Sequence, residues 1–508
     1  MILSKAETIL KGGVIPTVPL ADSLAIGGKK VLAIGQVEEM APLASEITQT
    51  IDLRGRTVLP GFIDAHTHFL QVGLEEISSV TDLSELNRAD TLAKLAEAVR
   101  ARGEGEWVIG RGWDESVWQD PSYLSREELD RIAPKNPVVA VRIDGHLLTV
   151  SNLALKQIPA DVNQGQVDIS RGILREKEAF AFLRTIEPDA ETLRDALYAA
   201  TALAHRLGIT SVHTMLPSNW IRPYMRERGR IKLRVTLYPE IFCLDALETL
   251  GIESGFGDEW LRLGGVKLFA DGSIGAGNAA LEEPFVDSGE NGSLNYTDEE
   301  LVHLVRRAEK AGLQTAIHAI GDRAIEQVLR AHLTAGTSRE LRHRIEHFEL
   351  PTEAQIARAR DMGLNISMQP NFVGNWSGDE KMYQARLGAQ RDWQSDPHRL
   401  VLEAGLPLAF GSDCMPISPL YGLHWAVNAP HPSQRVSVSE GISCYTKAGA
   451  YLSFEEAKKG KIEVGMDADL VVLDQDPNSV PERIVELHVE MTFVGGEVVF
   501  RRGDKPCA

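Results

Sequence analysis

Short apolar runs alternate with helical patterns through the centre of the chain. Each run ends in polar or ionisable residues, and eight such runs occur at residues 62–68, 209–213, 234–240, 266–271, 315–318, 344–347, 366–369 and 408–413. Alternation of strands with helices predicts an α/β fold with a parallel sheet. Eight units with ionisable residues at the strand ends favour a (β/α)8 TIM barrel that carries its site on the C-terminal face. An open doubly wound sheet is the alternative.

Both ends of the chain have a different, hairpin-like pattern. Residues 1–58 and the last fifty residues alternate short apolar runs with glycine-rich turns, and Gly495-Gly496 reads as a two-residue turn between strands. We predict that residues 1–58 and 460–503 form one small composite β-sandwich domain. The barrel, residues 59–459, is then inserted between two segments whose ends lie close together.

A long stretch, residues 73–206, separates the first predicted barrel strand from the second. Its helical patterns at 90–102 and 191–206 and its strand-like run at 138–143 predict an insertion subdomain after barrel strand 1. Trp113 and His146 lie within it. Both a lid or substrate wall and an ordinary packed subdomain fit this pattern.

Composition restricts the location and the partners of the protein. The 508 residues are 43% hydrophobic and 25% charged, with a formal net charge of -19, which is typical of a globular protein and disfavours nucleic acid and anionic membranes as partners. The four cysteines form no C-x-x-C pair, as expected in a reducing compartment. The N-terminus lacks a signal pattern and no 18-residue apolar run occurs. We therefore predict a soluble, cytoplasmic protein, and a homo-oligomer is compatible with it.

Two histidines at the end of the first barrel strand are candidate metal ligands. Asp64, His66 and His68 lie on one face of that strand because side chains alternate along it. Two imidazoles at a buried strand end cost free energy unless something satisfies them, and a divalent cation does so directly. The spacing alone is a weak signal, and its place at the predicted barrel mouth strengthens it.

Lys267 lies in the otherwise apolar run at residues 265–271. An ammonium group costs several kcal/mol to bury in such a strand. Three interpretations remain open: a snorkelling or salt-bridged lysine, a Schiff-base nucleophile, and a metal-bridging carbamate formed with carbon dioxide.

Later strands end in further candidate ligands, His318, His347 and Asp413. Together with the first-strand histidines and the buried lysine, they converge on one face of the predicted barrel. Nitrogen and oxygen donors without a thiolate predict one or two divalent metal ions. The donor set suits zinc, with manganese, iron and cobalt as alternatives.

Several motifs resemble the amidohydrolase superfamily. They are VLPGFIDAHTH, GGVKLFADGS, HAIGDRA, HRIEH, SMQPNF, GSDCM and EVGMDADLVVLDQDP. With GRGWDES and RIDGH, they are most similar to its N-substituted formamide deformylase-like branch, over nearly the whole chain. The resemblance implies a metal-dependent hydrolase that cleaves a non-peptide amide-type C–N bond in a small molecule, namely an N-acyl or N-formyl amine or a cyclic amide.

The resemblance also implies a role for each candidate ligand. His66 and His68 are expected to bind the more buried metal. Lys267, as a carbamate, is expected to bridge this ion to a second one, which His318 and His347 hold.

Asp413 is implied to bind the first metal and to act as general base and general acid. It takes a proton from the metal-activated hydroxide and returns it to the leaving amine. Trp113 and His146 match insertion motifs of the branch and are predicted to bind substrate. The chain departs from the branch at residues 274–278, where an expected arginine is absent, so the polar contacts to substrate differ from the branch pattern.

Other reactions remain as alternatives. A deaminase on the same metal site is the nearest, although superfamily deaminases usually carry a glutamate where this chain has Gly321. Ester, lactone and carbamate hydrolysis use the same attack on a carbonyl. A Schiff-base lyase through Lys267 and an inactive scaffold are more remote.

Overall fold

The computed structural model describes residues 5–77, 79–157, 167–183, 185–186 and 188–504. Its strands are β1 (Thr8–Lys11), β2 (Ser23–Gly27), β3 (Lys30–Gly35), β4 (Gln49–Asp52), β5 (Thr57–Pro60), β6 (Phe62–Thr67), β7 (Thr81–Asp82), β8 (Val108–Trp113), β9 (Val138–Arg142), β10 (Leu147–Val150), β11 (Val167–Asp168), β12 (Ile173–Arg175), β13 (Ile209–Leu216), β14 (Arg234–Pro239), β15 (Leu261–Leu263), β16 (Gly265–Phe269), β17 (Gln314–Ala319), β18 (Arg344–His347), β19 (Asn365–Met368), β20 (Leu408–Phe410), β21 (Leu470–Leu473), β22 (Val489–Val494) and β23 (Glu497–Arg501).

Helices follow most of these strands. They are α1 (Val37–Met40), α2 (Phe69–Glu76), α3 (Arg88–Arg100), α4 (Arg126–Ile132), α5 (Asn152–Leu155), α6 (Glu176–Leu183), α7 (Ala190–Arg206), α8 (Ile221–Glu227), α9 (Leu244–Leu250), α10 (Asp298–Lys310), α11 (Asp322–Ala335), α12 (Glu353–Met362), α13 (Pro370–Trp376), α14 (Met382–Leu387), α15 (Ala389–Gln394), α16 (His398–Glu403), α17 (Pro419–Val427), α18 (Val438–Cys444) and α19 (Lys447–Leu452). No described helix has both the length and the apolar character needed to cross a membrane.

Two parallel sheets form the centre of the molecule. The first has the order β15-β14-β13-β6 and the second has the order β16-β17-β18-β19-β20. A parallel bridge between Glu240 and Lys267 joins them on one side. On the other side the amide of Asp413 donates to the carbonyl of His66 at 2.8 Å. Each of the eight predicted runs overlaps a parallel strand, so the predicted α/β class is confirmed, whereas the barrel itself stays a prediction.

The central strands are nearly continuous buried runs because helices cover the sheets. Every residue of β13 and β17 is buried, as expected for parallel strands packed on both faces. The covering helices carry ordinary capping residues at their ends. Thr297 and Glu300 form the capping box of α10, and α11 ends at Gly336, whose φ of 71° is left-handed.

The stretch between β6 and β13 contains its own six-stranded sheet, with the order β11-β12-β10-β9-β8-β7. One face of this sheet packs on a hydrophobic cluster that includes Val108, Ala140 and Leu129 of α4. Ile109 and Val141 point to the other side, toward a cavity described below. The same side also packs on a second hydrophobic cluster, which includes Leu148 of β10 and Phe182 of α6, so both faces of the sheet are covered.

Both chain ends contribute to a pair of four-stranded sheets. Their orders are β3-β2-β1-β4 and β23-β22-β21-β5, and β5 pairs antiparallel with β21. Leu24 and Val58 from the N-terminal part share one hydrophobic cluster with Val472 and Phe493 from the C-terminal part. The two ends thus fold together, while the arrangement of the two sheets as a sandwich stays a prediction.

Candidate active site

Six predicted ligands come together where the central strands end. Donor atoms of His66, His347 and Asp413 all lie within 4.8 Å of one another. The Oδ1 atom of Asp413 is 3.7 Å from Nε2 of His66 and 3.3 Å from Nε2 of His68. The ring of His318 lies 4.5 Å from that of His347, centroid to centroid. The structure therefore gathers residues from β6, β17, β18 and the segment after β20.

Lys267 of β16 belongs to the same group. Its side chain is fully buried, and Nζ lies 4.8 Å from the centre of the Phe269 ring. Burial lowers the pKa of this amine to about 8, although the nearby carboxylates of Glu346 and Asp413 raise it. At pH 7 about a tenth of this amine is therefore neutral, which is the form that acts as a nucleophile.

The backbone that presents two of the candidate ligands is unusual. His347 has a φ of 72° and Asp413 a φ of 47°, a left-handed conformation that residues other than glycine adopt uncommonly. Asp64 holds β6 against the segment that follows β20. Its Oδ1 accepts hydrogen bonds from the amides of Ser412 at 2.8 Å and His66 at 3.3 Å. The aspartate on the shared face of the predicted strand is therefore a structural clamp.

Four buried polar atoms of this group have no hydrogen-bond partner among the described residues. They are Nε2 of His66, Nδ1 of His347, Nζ of Lys267 and Oδ1 of Asp413. Unpaired polar atoms cost about 1–3 kcal/mol each when buried, so their concentration at one point indicates that a ligand binds there. All are nitrogen and oxygen donors, and a divalent metal ion fits them.

The protonation states of the histidines agree with metal binding. Burial lowers the pKa of His66, His318 and His347 well below the ordinary value, so each ring is neutral near neutral pH. The Nε2 atom of His318 is 3.0 Å from the carbonyl of Gly272. Because a neutral ring that donates from Nε2 keeps its lone pair on Nδ1, that nitrogen is the one open to a ligand.

Asp413 stays ionised in this environment. Burial raises the pKa of its carboxyl group, but the neighbouring His66, His68 and Lys267 lower it by more. The net pKa is therefore below the ordinary value. A carboxylate beside a ligand-binding point can both bind a cation and accept a proton.

Glu346 and Arg344 hold the ring of His66 in place on the side away from the other candidate ligands. Oε2 of Glu346 is 2.6 Å from Nδ1 of His66, and both side chains are buried. Arg344 donates two hydrogen bonds to this carboxylate, and it also donates one to the carbonyl of Ala65 at 2.6 Å. The bond to Glu346 holds the proton on Nδ1 and turns Nε2 toward the site, as is usual for metal-binding histidines.

His146 lies beside the group, on the insertion side. Its ring is 4.9 Å from that of His318, and Nδ1 is 3.0 Å from Oε2 of Glu176. Burial lowers the pKa of His146, but the carboxylates of Glu176 and Asp144 outweigh this effect and raise the pKa to about 9. The ring is therefore a buried cation with a paired counter-charge.

Two cavities meet at this point. A cavity of about 160 Å³, called here the apolar cavity, is lined by Lys267 and His68 and by mostly apolar side chains. A second one of about 20 Å³, called the small cavity, is lined by His318, His347 and Asp413. Asp144 and His146 line both. The candidate ligands are therefore reached from two sides, which suits a substrate with a group on each side of the reacting bond.

Trp113 lies apart from both cavities. Its indole is fully buried and stacks on Trp118 at 5.7 Å between ring centroids, within the core of the insertion sheet. The reason is an irregularity in β8. The register with β9 shifts between Arg111 and Trp113, where Gly112 has a φ of 101°, so Trp113 faces away from the cavity-lining Arg111. Its substrate-binding role stays a prediction that this placement does not support.

Sequence reasoning missed several residues that shape the site. Glu346 and Arg344 alternate within HRIEH, and two opposite charges in a buried strand were a signal that this strand has a polar role. Asp271 closes β16 and accepts three backbone hydrogen bonds, from Ala280, Ile320 and Gly321. Glu176 gave no signal, because its pairing with His146 depends on the folded insertion.

The comparisons with known proteins agree with this geometry. The sequence profile of the amidohydrolase family matches residues 49–500. YtcJ of Bacillus subtilis, whose name assigns it to the amidohydrolases, is 31% identical over 490 residues, covering 90% of this chain and 91% of its own. An N-substituted formamide deformylase of Arthrobacter pascens is 26% identical and covers 95% of each chain.

A solved structure extends the comparison. An uncharacterised metal-dependent hydrolase from Pyrococcus furiosus is 29% identical, with a TM-score of 0.74, and the match covers 93% of this chain and 99% of that one. The similarity therefore includes the central sheets, the insertion and the two chain ends together.

Proposed function

The chain belongs to the amidohydrolase family and is a metal-dependent hydrolase; on that premise, we propose that it cleaves a non-peptide amide-type C–N bond in a small molecule. N-acyl and N-formyl amines and cyclic amides are the proposed substrates. The observation that carries this proposal is the set of unpaired buried donors on His66, Lys267, His347 and Asp413. The similarity to the formamide deformylase supports the choice of an amide.

We propose that His66, His68 and Asp413 hold one divalent ion and that His318 and His347 hold a second one. Zinc is the proposed metal, and a carbamate on Lys267 is proposed to bridge the two. The buried, partly neutral amine of Lys267 supports this, because a neutral amine is the form that combines with carbon dioxide. When bound, such metals lower the pKa of a coordinated water to about 7 and polarise a carbonyl group.

The residues of the chain supply the rest of the chemistry. Asp413 is proposed to accept a proton from the attacking water and to return it to the leaving nitrogen, which then departs as an amine. Glu346 keeps Nε2 of His66 directed at the site through the 2.6 Å contact at Nδ1. His146, a cation between the two cavities, is proposed to contact the carbonyl side of the substrate.

The wider architecture follows the same proposal. We infer that the two central sheets close into one (β/α)8 barrel, residues 59–459, with an insertion subdomain at 73–206. Residues 1–58 and 460–503 are proposed to form the β-sandwich domain. The bridge between Glu240 and Lys267 and the bond from Asp413 to His66 support closure on both sides. A cytoplasmic location and the absence of nucleic-acid and membrane partners are part of the proposal.

The test is amine release from a panel of N-formyl, N-acetyl, cyclic-amide and ester compounds by zinc-loaded protein. Asp413→Asn is the matched variant, because it keeps the size of the side chain and removes the base. Amine released by the wild type only would support the proposal. Ammonia without any acid product would indicate a deaminase, and borohydride trapping of a carbonyl substrate on Lys267 would indicate a Schiff-base enzyme.

A further inference from the structure

The walls of the apolar cavity are mainly hydrocarbon. Side chains from the insertion sheet, from helices α2 and α6 and from the ends of the central strands form them. The principal ones are Leu70, Leu74, Ile109, Val141, Phe180 and Phe269. Such a lining favours an apolar group of the substrate, since removal of apolar surface from water is favourable.

Apart from the candidate metal ligands, the charged side chains Arg111, Asp144 and His146 in these walls already have partners. Nε of Arg111 is 3.5 Å from the carboxylate of Glu75. Asp144 accepts hydrogen bonds from Arg142 at 2.7 Å and from Ser273 at 2.5 Å, and His146 is paired with Glu176. These ion pairs leave no reason for the substrate to bring a counter-charge to them, so a neutral group is preferred.

The two volumes set the sizes of the groups. A dry cavity of about 150 Å³ in another protein binds benzene, so the apolar cavity of about 160 Å³ has room for one six-membered ring. The small cavity of about 20 Å³ has room for roughly one water molecule. The space on the two sides of the ligand group is therefore strongly unequal.

We propose that the substrate carries one neutral apolar arm about the size of a single ring, bound in the apolar cavity, and only a hydrogen atom or a methyl group on the other side of the scissile bond. This inference rests on the proposed function, because it assigns the two arms of the amide. Ile109, Phe180 and Phe269 are then specificity-determining residues.

Four matched substrates test the assignment. Formanilide carries a ring on nitrogen, and N-methylbenzamide carries a ring on the acyl carbon. Benzanilide carries both rings, and 4-formamidobenzoate is formanilide with a carboxylate on its ring. The better of the two single-ring amides is expected to have a kcat/KM at least about tenfold above benzanilide and above the charged compound. Equal or faster cleavage of benzanilide or of 4-formamidobenzoate would overturn the proposal.

Two variants change the apolar cavity in opposite directions. Ile109→Trp fills it and is expected to lower the rate of the single-ring substrate relative to N-methylformamide by about tenfold. Phe180→Ala enlarges it and is expected to raise the rate of the naphthyl analogue of the better single-ring amide relative to that single-ring amide. Val117→Trp, at a position 67% exposed in the same insertion, is the control and is expected to match the wild type. Unchanged ratios in both cavity variants would contradict the assignment.

A binding measurement separates this inference from the proposed function. Toluene, used as a neutral single-ring probe, is expected to raise the thermal unfolding temperature of the wild type and of Val117→Trp, and to have no effect on Ile109→Trp. If toluene binds in this way while no amide is cleaved, the result supports a ring-binding apolar cavity and contradicts the proposed amide hydrolysis. If toluene has no effect on the wild type, the inference itself fails.

Discussion

Arg234 and Lys267 are both buried cations in the central sheets, yet their surroundings differ. Arg234, in β14, donates to Asp469 at 2.6 and 3.1 Å and to the carbonyl of Glu259 at 3.1 Å, and it lies 3.3 Å from Asp467. Nζ of Lys267, in β16, has no hydrogen bond to any described residue.

The difference separates a structural role from a functional one. The Arg234 ion pairs join the central sheets to Asp467 and Asp469 just before β21. Lys30 also pairs with Asp467 at 2.5 Å, so two cations face the two carboxylates. The unpaired atoms around Lys267 hold nothing together and carry a free-energy cost until a ligand binds. Changes in the Arg234 ion pairs should therefore reduce stability, and changes in the unpaired donors near Lys267 should reduce activity.

The largest expected effect follows from Asp413→Asn. This change removes the proposed proton carrier, and we expect kcat to fall by about 10³-fold or more. Thermal unfolding should change little, because Oδ1 of Asp413 has no hydrogen bond to lose among the described residues. Steady-state amine release and a melting curve on the same sample measure both. A variant that is as active as the wild type would remove Asp413 from the chemistry.

Arg234→Met should give the opposite result. It leaves Asp469 buried without its cation, whereas Asp467 keeps its ion pair with Lys30 at 2.5 Å. Loss of one partner of a buried pair costs about 3 kcal/mol or more. We expect lower stability in a denaturant titration and normal kcat per folded molecule. Arg230→Met is the control, because Arg230 is 71% exposed in its pair with Glu227, and such pairs contribute about 0–1 kcal/mol.

Glu346→Gln sharpens the comparison within the site. The amide competes poorly for the Nδ1 proton of His66, so we expect zinc affinity to fall about 10–100-fold. Competition with a chromogenic chelator measures this without any turnover. Glu309→Gln is the matched control, since Glu309 makes a similar contact, 2.7 Å to Nε2 of His343, away from the site. Equal zinc affinity in the two variants would contradict the positioning role.

Asp396→Asn should have the smallest effect, and it should be stabilising. Both carboxylate oxygens of Asp396 are buried without a hydrogen-bond partner among the described residues. Burial raises the pKa of Asp396 well above its ordinary value, and the carboxylates of Glu349 and Asp392 add to this. Nearby Tyr383 donates its hydroxyl to Glu349 and brings no counter-charge.

The sign of the pH dependence follows from that shift. A carboxyl group with a raised pKa in the folded state stabilises the fold at low pH, and this contribution is lost as pH rises. The variant should therefore gain a few degrees in unfolding temperature over the wild type at about pH 8 and less at about pH 6. Asp361→Asn, at an exposed carboxylate, is the control. A gap that shrinks as pH rises would contradict this explanation.

Local patterns predicted much of the fold. The run at 344–347 coincides with β18, and the helix pattern at 191–206 differs from α7 by one residue at its start. Such elements follow from periodicity and capping, which act over a few residues. The short strand β15 was missed, because three residues next to a glycine pair carry little periodic signal.

The candidate site was predictable only in part. The histidines and Asp413 end apolar runs, so their convergence follows from parallel strands alone. The contact between His66 and Glu346 links residues 280 positions apart, and no local pattern encodes it. Trp113 shows the converse. A regular strand would place it on the face of Ile109, and the register shift at Gly112 reverses this.

The pairing of β5 with β21 has a consequence for biosynthesis. Leu59 and Val471 are partners in this sheet, and about 400 residues must leave the ribosome after the first before the second is available. At about 5–20 residues per second, β5 waits on the order of half a minute with an unsatisfied edge. A nascent chain with an unpaired strand is a substrate for chaperones and a hazard for aggregation. Slow translation of the central segment would lengthen this exposure.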